Sequence, residues 1–166
     1  MIVRVLASAD AAAFQAIRLQ GLTECPSAFA SSAEEERDTL LAVVTERLAP
    51  QDDHAMLGAF EGHALVGVVG IQREALRKLA HKGFVWGMCV APAARRAGVG
   101  RQLMQAALEQ ASTRLGVTQL SLGVNAANAA AIALYERMGF ETYGLEHGSM
   151  RLDCELHDEI LMVRVL

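Results

Sequence analysis

The stretch from Val90 to Arg101 reads V-A-P-A-A-R-R-A-G-V-G-R and connects an apolar segment to an amphipathic one through a tight turn. A helix that begins there presents free N–H groups and the positive end of its dipole, which together attract an anion. Gly98 and Gly100 lack the side chains that would keep a pyrophosphate away from the backbone. Positive charge around the same turn comes from Arg95, Arg96 and Arg101. The stretch therefore predicts a phosphate-binding turn between a strand and a helix.

A second pattern, N-A-A-N-A-A-A-I-A-L-Y-E-R-M-G-F, occupies residues 125–140. Asn128 and Tyr135 are seven residues apart, so on a helix they lie within about 20° of one face, with Ile132 between them. A second face, suited to pack on a sheet, carries Ala131, Leu134 and Met138. The polar pair either addresses a ligand or consists of an end-of-helix Asn and a buried Tyr with its hydroxyl satisfied. The neighbouring anion-binding turn favours the ligand.

The two motifs, R-x-x-G-x-G and N-x-x-N-x-x-A-x-x-L-Y-x-x-x-G-F, resemble those of the GNAT acetyltransferase superfamily. The resemblance covers residues 84–144, and the chain outside this range matches more loosely. Together with the pattern of strands and helices, it implies an α/β (α+β) fold in one GNAT-like domain over residues 1–166. We expect a central mixed, mostly antiparallel sheet of about six or seven strands, flanked by about four helices.

The resemblance implies acetyl-CoA as the cofactor, with CoA as product. It places the pyrophosphate on the arginine–glycine turn, and the pantetheine arm and thioester carbonyl on the backbone of the preceding strand. The residues assigned to the cofactor are Met88, Cys89, Val90, Arg95, Arg96, Ala97, Gly98, Val99, Gly100, Arg101, Asn125, Asn128 and Tyr135.

The implied chemistry is direct attack of an amine on the thioester in a ternary complex. Tyr135 is the predicted general acid for the departing thiolate. A free Tyr (pKa ~10) is a slightly weaker acid than a thiol (~8.5), so this transfer is modestly uphill. No Cys–His pair suited to covalent catalysis is identifiable, and Cys89 is interpreted as a small buried apolar residue.

The general base is where this chain departs from the family. Relatives often carry a carboxylate on the strand that is occupied here by Trp86-Gly87-Met88, which has none. The base then comes from elsewhere, acts through water, or is unnecessary. The candidates are Glu24, Glu34, His81 and Asp158. Glu24 and Asp158 rank first because the corresponding regions border the acceptor cleft in relatives, although each candidate also suits a surface or capping role.

Composition restricts the function classes further. A hydrophobic fraction of 52% in 166 residues excludes a disordered chain and suits one sizeable core. A net charge of −4 disfavours nucleic-acid binding, and no apolar run reaches the length of a membrane span or a secretory signal. Three widely spaced cysteines without a C-x-x-C motif favour a reduced, cytoplasmic setting. The histidines show no metal-ligand spacing, so we expect no metal.

Hydrophobic periodicity and turn residues predict the elements. Strands are expected over residues 2–6, 55–60, 65–72, 83–90, 119–124, 140–143 and 160–165. Helices are expected over residues 11–22, 33–48, 99–115 and from 125 or 126 to 138. Gly87 within its strand indicates a bulge, a close approach of ligand, or a packing glycine. The run Glu34-Glu35-Glu36 indicates a helix cap with a solvated face or an anionic rim for a cationic amine.

Three functions fit these observations. The first is an N-acetyltransferase for a small-molecule amine; the second is a protein or peptide N-acetyltransferase, whose acceptor groove would be open at both ends. The third is a noncatalytic acyl-CoA-binding regulatory module, against which Tyr135 argues. A nucleotide-binding protein is excluded, since the turn lacks G-K-[ST] and G-x-G-x-x-G. Exposed C-terminal strands make a homodimer plausible.

Overall fold

Seven strands form one sheet in the computed structural model, which describes residues 1–166. The strands are β1 (Ile2–Val5), β2 (His54–Glu61), β3 (Ala64–Arg73), β4 (Lys82–Val90), β5 (Gln119–Asn125), β6 (Glu141–Leu152) and β7 (Glu155–Val165). The helices are α1 (Ala11–Glu24), α2 (Ala33–Arg37), α3 (Leu41–Arg47), α4 (Val99–Thr113) and α5 (Ala129–Arg137). The strand order is β1-β2-β3-β4-β5-β7-β6, and only β4 and β5 run parallel. The predicted mixed, mostly antiparallel sheet is confirmed.

Two apolar clusters cover the two faces of the sheet. The larger includes Leu103 and Met104 of α4, and it also contains Tyr135 of α5. The smaller includes Phe14 and Ile17 of α1. Because α4 and α5 pack on one face and α1 on the other, the central strands are covered on both sides, which explains why β4 reads as an apolar run. None of the helices is long and apolar enough to cross a membrane.

The single helix predicted over residues 33–48 is wrong, because α2 ends at Arg37 and α3 begins at Leu41. Leu40 adopts an extended conformation (φ −60°, ψ 138°), and the carbonyl of Thr39 accepts a hydrogen bond from Gln15 at 2.8 Å. Asp38 and Thr39 are residue types with low helix propensity. The hydrogen bond from Gln15 to the carbonyl of Thr39 holds this segment in its non-helical conformation. The segment therefore turns over α1 as two short helices.

The last two strands are much longer than predicted. They form a hairpin closed at residues 153–154, and Asp153 has a left-handed φ of 53°. The sequence signal is weak over residues 141–147 and 153–156, because most of these positions are exposed and polar residues are mixed there with the exposed Tyr143, Leu145 and Leu156. The helix predicted from residue 125 or 126 begins instead at Ala129, since the side chain of Asn128 caps its first turn.

The feature that creates a cleft is the divergence of β4 from β5. The two strands pair only where Lys82–Phe84 meets Gln119–Ser121. Beyond Phe84 a register shift interrupts the β3–β4 ladder, and Gly87 adopts a left-handed φ of 61°. Of the three alternatives for Gly87, the structure shows the bulge. The rest of β4 keeps its pairing with β3 but has no strand partner on the β5 side.

Candidate active site

A cleft of about 1320 Å³ lies between the diverging ends of β4 and β5 and extends to the beginnings of α4 and α5. Every residue that the sequence analysis assigned to the cofactor lines it, with the exception of Ala97. The two sequence motifs, separate in the chain, thus meet at one opening of the sheet. The lining also contains Phe29, Trp86 and Gly123, which neither motif includes.

The two glycines of the turn have different surroundings. Gly98 adopts a left-handed φ of 80°, and a Cβ built on it would meet nothing within 4 Å. A Cβ on Gly100 would lie 3.1 Å from Cε of Met88 and 3.2 Å from Cδ2 of Leu134. Gly98 therefore keeps the space at the start of α4 open, whereas Gly100 permits close packing of α4 against its neighbours.

The arginines of the turn divide into one that is engaged and two that are not. Arg95 donates through Nε to the carbonyl of Val90 at 3.0 Å and through Nη2 to a carboxylate oxygen of Glu24 at 3.0 Å. Arg96 and Arg101 are exposed and form no ion pair within the chain. Arg95 thus fastens the turn to β4 and α1, while Arg96 and Arg101 leave their charges free beside the helix N-terminus.

Tyr135 lies in the core with its hydroxyl at the cleft. The residue is 8% exposed, and its ring meets Phe140 edge-on at a centroid distance of 6.0 Å. Its hydroxyl has only the thioether sulfur of Met88 as a hydrogen-bond partner, at 3.5 Å. Burial raises the pKa of Tyr135 to about 12. The phenol is therefore uncharged at neutral pH, and thioether sulfur is such a weak acceptor that the O–H remains available to a stronger one.

The side chains of the two motif asparagines have partners within the protein. Asn128 accepts a hydrogen bond from the backbone N–H of Ala131 at 3.1 Å as the N-cap of α5. Asn125 accepts one from Ala127 and donates one to the carbonyl of Ser27 at 2.9 Å. Both side chains shape the backbone around the cleft.

Cys89 is buried, as interpreted from the sequence. A Cβ on Gly21 of α1 would lie 2.5 Å from its sulfur, which shows how closely α1 approaches β4 at this point. Burial raises the pKa of the Cys89 thiol, so the thiolate needed of a nucleophile is disfavoured.

The four candidate bases are dispersed. Glu34 is exposed on α2, and His81 is exposed in the loop before β4. Glu24 is paired with Arg95, as described above. Asp158 accepts hydrogen bonds from the N–H of Gly148 at 2.8 Å and from His147 at 3.0 Å, and these bonds lower its pKa.

A buried ion pair was missed by the sequence analysis. Arg18 of α1 donates to the Glu36 carboxylate through Nε and Nη2, the latter at 2.9 Å, and its guanidinium lies 4.8 Å from the ring centroid of Phe29. Burial acts to raise the pKa of Glu36, but hydrogen bonds from Arg18 and Ser31 outweigh it and hold the pKa below its usual value. Glu36 is thus part of the packing between α1 and α2, and only Glu34 and Glu35 are exposed as expected.

A second missed residue is Glu159 of β7, whose carboxylate lies against Gly123 of β5. No motif marks it, because its place depends on the pairing of two strands that are distant in the chain. The only sequence signal was a glycine inside a strand, which indicates a close approach.

Known acetyltransferases resemble this protein in sequence and in fold. The chain is 46% identical over 56 residues to [ribosomal protein bS18]-alanine N-acetyltransferase of Salmonella typhimurium, an alignment that covers 34% of this chain and 37% of that protein. It is 32% identical over 139 residues to mycothiol acetyltransferase of Brachybacterium faecium, which covers 82% of this chain and 39% of that protein. The chain thus matches less than half of the length of either relative.

The structure of yncA from Salmonella typhimurium, solved with its cofactor acetyl-CoA, has the same fold. It superimposes with a TM-score of 0.84 at 20% identity, over 100% of this chain and 94% of that one. Residues 19–140, most of the chain, match the model of the acetyltransferase (GNAT) family. The protein, with its divergent β4 and β5 and its arginine–glycine turn at the start of α4, belongs to the GNAT acetyltransferase family.

Proposed function

We propose that this protein is an N-acetyltransferase that moves the acetyl group of acetyl-CoA to a primary amine of a small molecule, by direct attack in a ternary complex. The observation that carries the proposal is the cleft between β4 and β5, which joins a free helix N-terminus to a buried tyrosine hydroxyl. Residues 1–166 act as one domain in this proposal.

The phosphates of acetyl-CoA would lie at the start of α4. The open space at Gly98, the unbonded N–H groups of the first helical turn and the free charges of Arg96 and Arg101 all suit an anion. The arm of the cofactor would then follow the unpaired edge of β4, where Met88, Cys89 and Val90 offer main-chain hydrogen bonds. A backbone donor aimed at the developing oxyanion is worth about 3 kcal/mol.

Tyr135 would act on the departing sulfur as a hydrogen-bond donor. With a pKa of about 12, full transfer of its proton to a thiolate of pKa ~8.5 would cost about 5 kcal/mol, more than the modest cost expected from the sequence. Donation of a hydrogen bond from the neutral phenol stabilises the thiolate without that cost, and the proton can follow once the C–S bond is broken.

A small acceptor is favoured by the closure of the cleft on the α1 side. The side chain of Asn125 bonds the carbonyl of Ser27, so the segment after α1 is attached directly to β5. Between this segment and the β6–β7 hairpin there remains only a recess of about 10 Å³, space for a single water molecule. A peptide passing through the site would need that passage open. A protein acceptor is the second candidate, because the Salmonella relative is named for its action on a ribosomal protein.

The experiment that tests the proposal combines CoA calorimetry with thiol release from acetyl-CoA. We expect binding of acetyl-CoA, and faster thiol release with a panel of amino acids, polyamines and aminated drugs than with peptides bearing a free α-amine. A preference for the peptides would establish the second candidate. Binding without release for either panel would contradict catalysis and favour a regulatory module.

The role of Gly98 can be separated from backbone strain by comparison with Gly116. Both glycines have a left-handed φ, 80° and 64°, and a Cβ on either would meet nothing within 4 Å, but only Gly98 lines the cleft. Gly98→Leu and Gly116→Leu should each lose about 1–2 kcal/mol of unfolding free energy. Calorimetry should show at least a tenfold weaker affinity for CoA in G98L alone. Equal affinities for CoA in the two variants would show that the phosphates of CoA do not bind at this turn.

Tyr135→Phe should lower kcat about 10- to 100-fold and leave the affinity for acetyl-CoA within about twofold, because the lost hydrogen bond serves the departing thiolate. Tyr143→Phe, at the exposed tyrosine, is the matched control and should retain full turnover. Normal kcat in Y135F would show that the hydroxyl serves packing only.

The ionisation of Tyr135 can be measured directly, since Tyr143→Phe leaves it as the only tyrosine. Tyrosinate absorbance of folded Y143F should rise with a midpoint near pH 12, because burial raises this pKa. A raised folded pKa favours the neutral form, so this contribution to stability is complete below pH ~10 and is lost as pH rises through 12. A midpoint near 10 with circular dichroism still native would contradict the buried position.

A further inference from the structure

Glu159 lines the small recess beside the cleft, and its carboxylate lies against Gly123, a residue of the cleft lining. On β7 it pairs with Asn125, and its carboxylate extends back along β5 to Gly123. A Cβ on Gly123 would lie 2.4 Å from the carboxyl carbon and 2.5 and 2.7 Å from its two oxygens. The carboxylate therefore occupies the space that a side chain at position 123 would fill. Gly123 itself is exposed and lines the cleft.

The Glu159 carboxylate has no cation beside it. Its hydrogen-bond partner is the hydroxyl of Ser149 at 3.3 Å, and no Lys, Arg or His nitrogen lies within 4 Å. By contrast, Glu24 of α1 is paired with Arg95 and Glu36 of α2 with Arg18. A partly exposed carboxylate without a counter-charge attracts a positively charged ligand.

The titratable groups around Glu159 leave its carboxylate without a counter-charge. Glu146 of β6 lies directly opposite in the β6–β7 register, and Asp158 is the adjacent residue on β7. His157 lines the same small recess as Glu159, and its Nε2 is buried without a hydrogen-bond partner. β5, which packs on the other side, contains no titratable residue between Gln119 and Asn125. Asp158 is already bonded by His147 and the N–H of Gly148, and none of these neighbours supplies a positive charge within 4 Å of the Glu159 carboxylate.

The position also suits the reaction. In the proposed function the thioester lies along Met88 to Val90 on β4, a segment without any carboxylate, and β5 forms the opposite side of the cleft. An amine between the two strands would have the acetyl group on one side and Gly123 with the Glu159 carboxylate on the other. None of the four bases considered from the sequence combines a free carboxylate with contact to this strand.

We propose that Glu159 binds the protonated amine of the acceptor and is the general base of the transfer, an inference that rests on the proposed function. The ammonium gives one proton to the carboxylate, and the neutral nitrogen attacks the thioester carbon to form the C–N bond. Collapse of the tetrahedral intermediate breaks the C–S bond. Tyr135 gives its proton to the departing thiolate, and the second proton lost by the nitrogen restores the Tyr135 phenol. Glu159 then releases the proton it accepted to solvent. The products are the amide, CoA and one proton.

The test compares Glu159→Gln with wild type over pH 7–10, using the amine that is acetylated fastest in the panel. At pH 7 we expect kcat/KM to fall about 10²- to 10⁴-fold, with CoA affinity and the circular dichroism spectrum unchanged. The deficit should shrink as pH approaches the acceptor's own pKa, ~10 for an alkylamine, because free amine then needs no base. A loss of equal size at every pH, or no loss, would overturn the assignment.

Two further variants distinguish position from charge. Gly123→Ala keeps the carboxylate but forces it to move, and should lower kcat/KM at least tenfold at pH 7. Glu146→Gln removes the carboxylate directly opposite and should leave kcat/KM within about threefold. An E146Q loss as large as that of E159Q would show a general field effect and overturn the role of Glu159. Absence of transfer by wild type to every amine would instead refute the proposed function, and the inference with it.

Discussion

The divergence of β4 from β5 is the constraint on which the rest of the structure depends. A sheet normally satisfies its main-chain groups by pairing neighbouring strands, and here the pairing stops after Phe84. The bulge at Gly87 turns the remaining part of β4 away without detaching it from β3. Because both faces of the sheet are covered by helices, the opening becomes a cleft between packed layers. The unpaired edge of β4, the start of α4 and the hydroxyl of Tyr135 all face into it.

Electrostatic pairing organises the surroundings of that cleft. The ion pair between Arg95 and Glu24 connects the turn to α1. The ion pair between Arg18 and Glu36 connects α1 to α2. Arg96 and Arg101 at the start of α4 and Glu159 beside Gly123 of β5 are left without an ion-pair partner. That division suits the two partners of the proposed reaction, a phosphate-bearing cofactor and a protonated amine.

The differences between the predicted and the observed elements share a physical cause. Helix periodicity continues through residues 33–48, yet the helix is interrupted at Asp38–Leu40, where the side chain of Gln15 of α1 donates a hydrogen bond to the carbonyl of Thr39. The β6–β7 hairpin is stabilised by cross-strand hydrogen bonds that need no apolar alternation, so its exposed half gave only a weak local signal. In both places tertiary contacts outweigh the local pattern.

The sequence by itself determined the parts that depend on neighbouring residues in the chain. These are the turn before α4 and the helix with Tyr135, since each depends on residues that are close together in the chain. At Gly87 the sequence marked the position but left three alternatives, and the structure decided for the bulge. The relation of these motifs to the family followed from their spacing. Only the tertiary structure decided that Arg95 is engaged and that burial raises the pKa of Tyr135 to about 12. It alone brought the Glu159 carboxylate over Gly123, because the register between β5 and β7 is set by packing across the whole sheet.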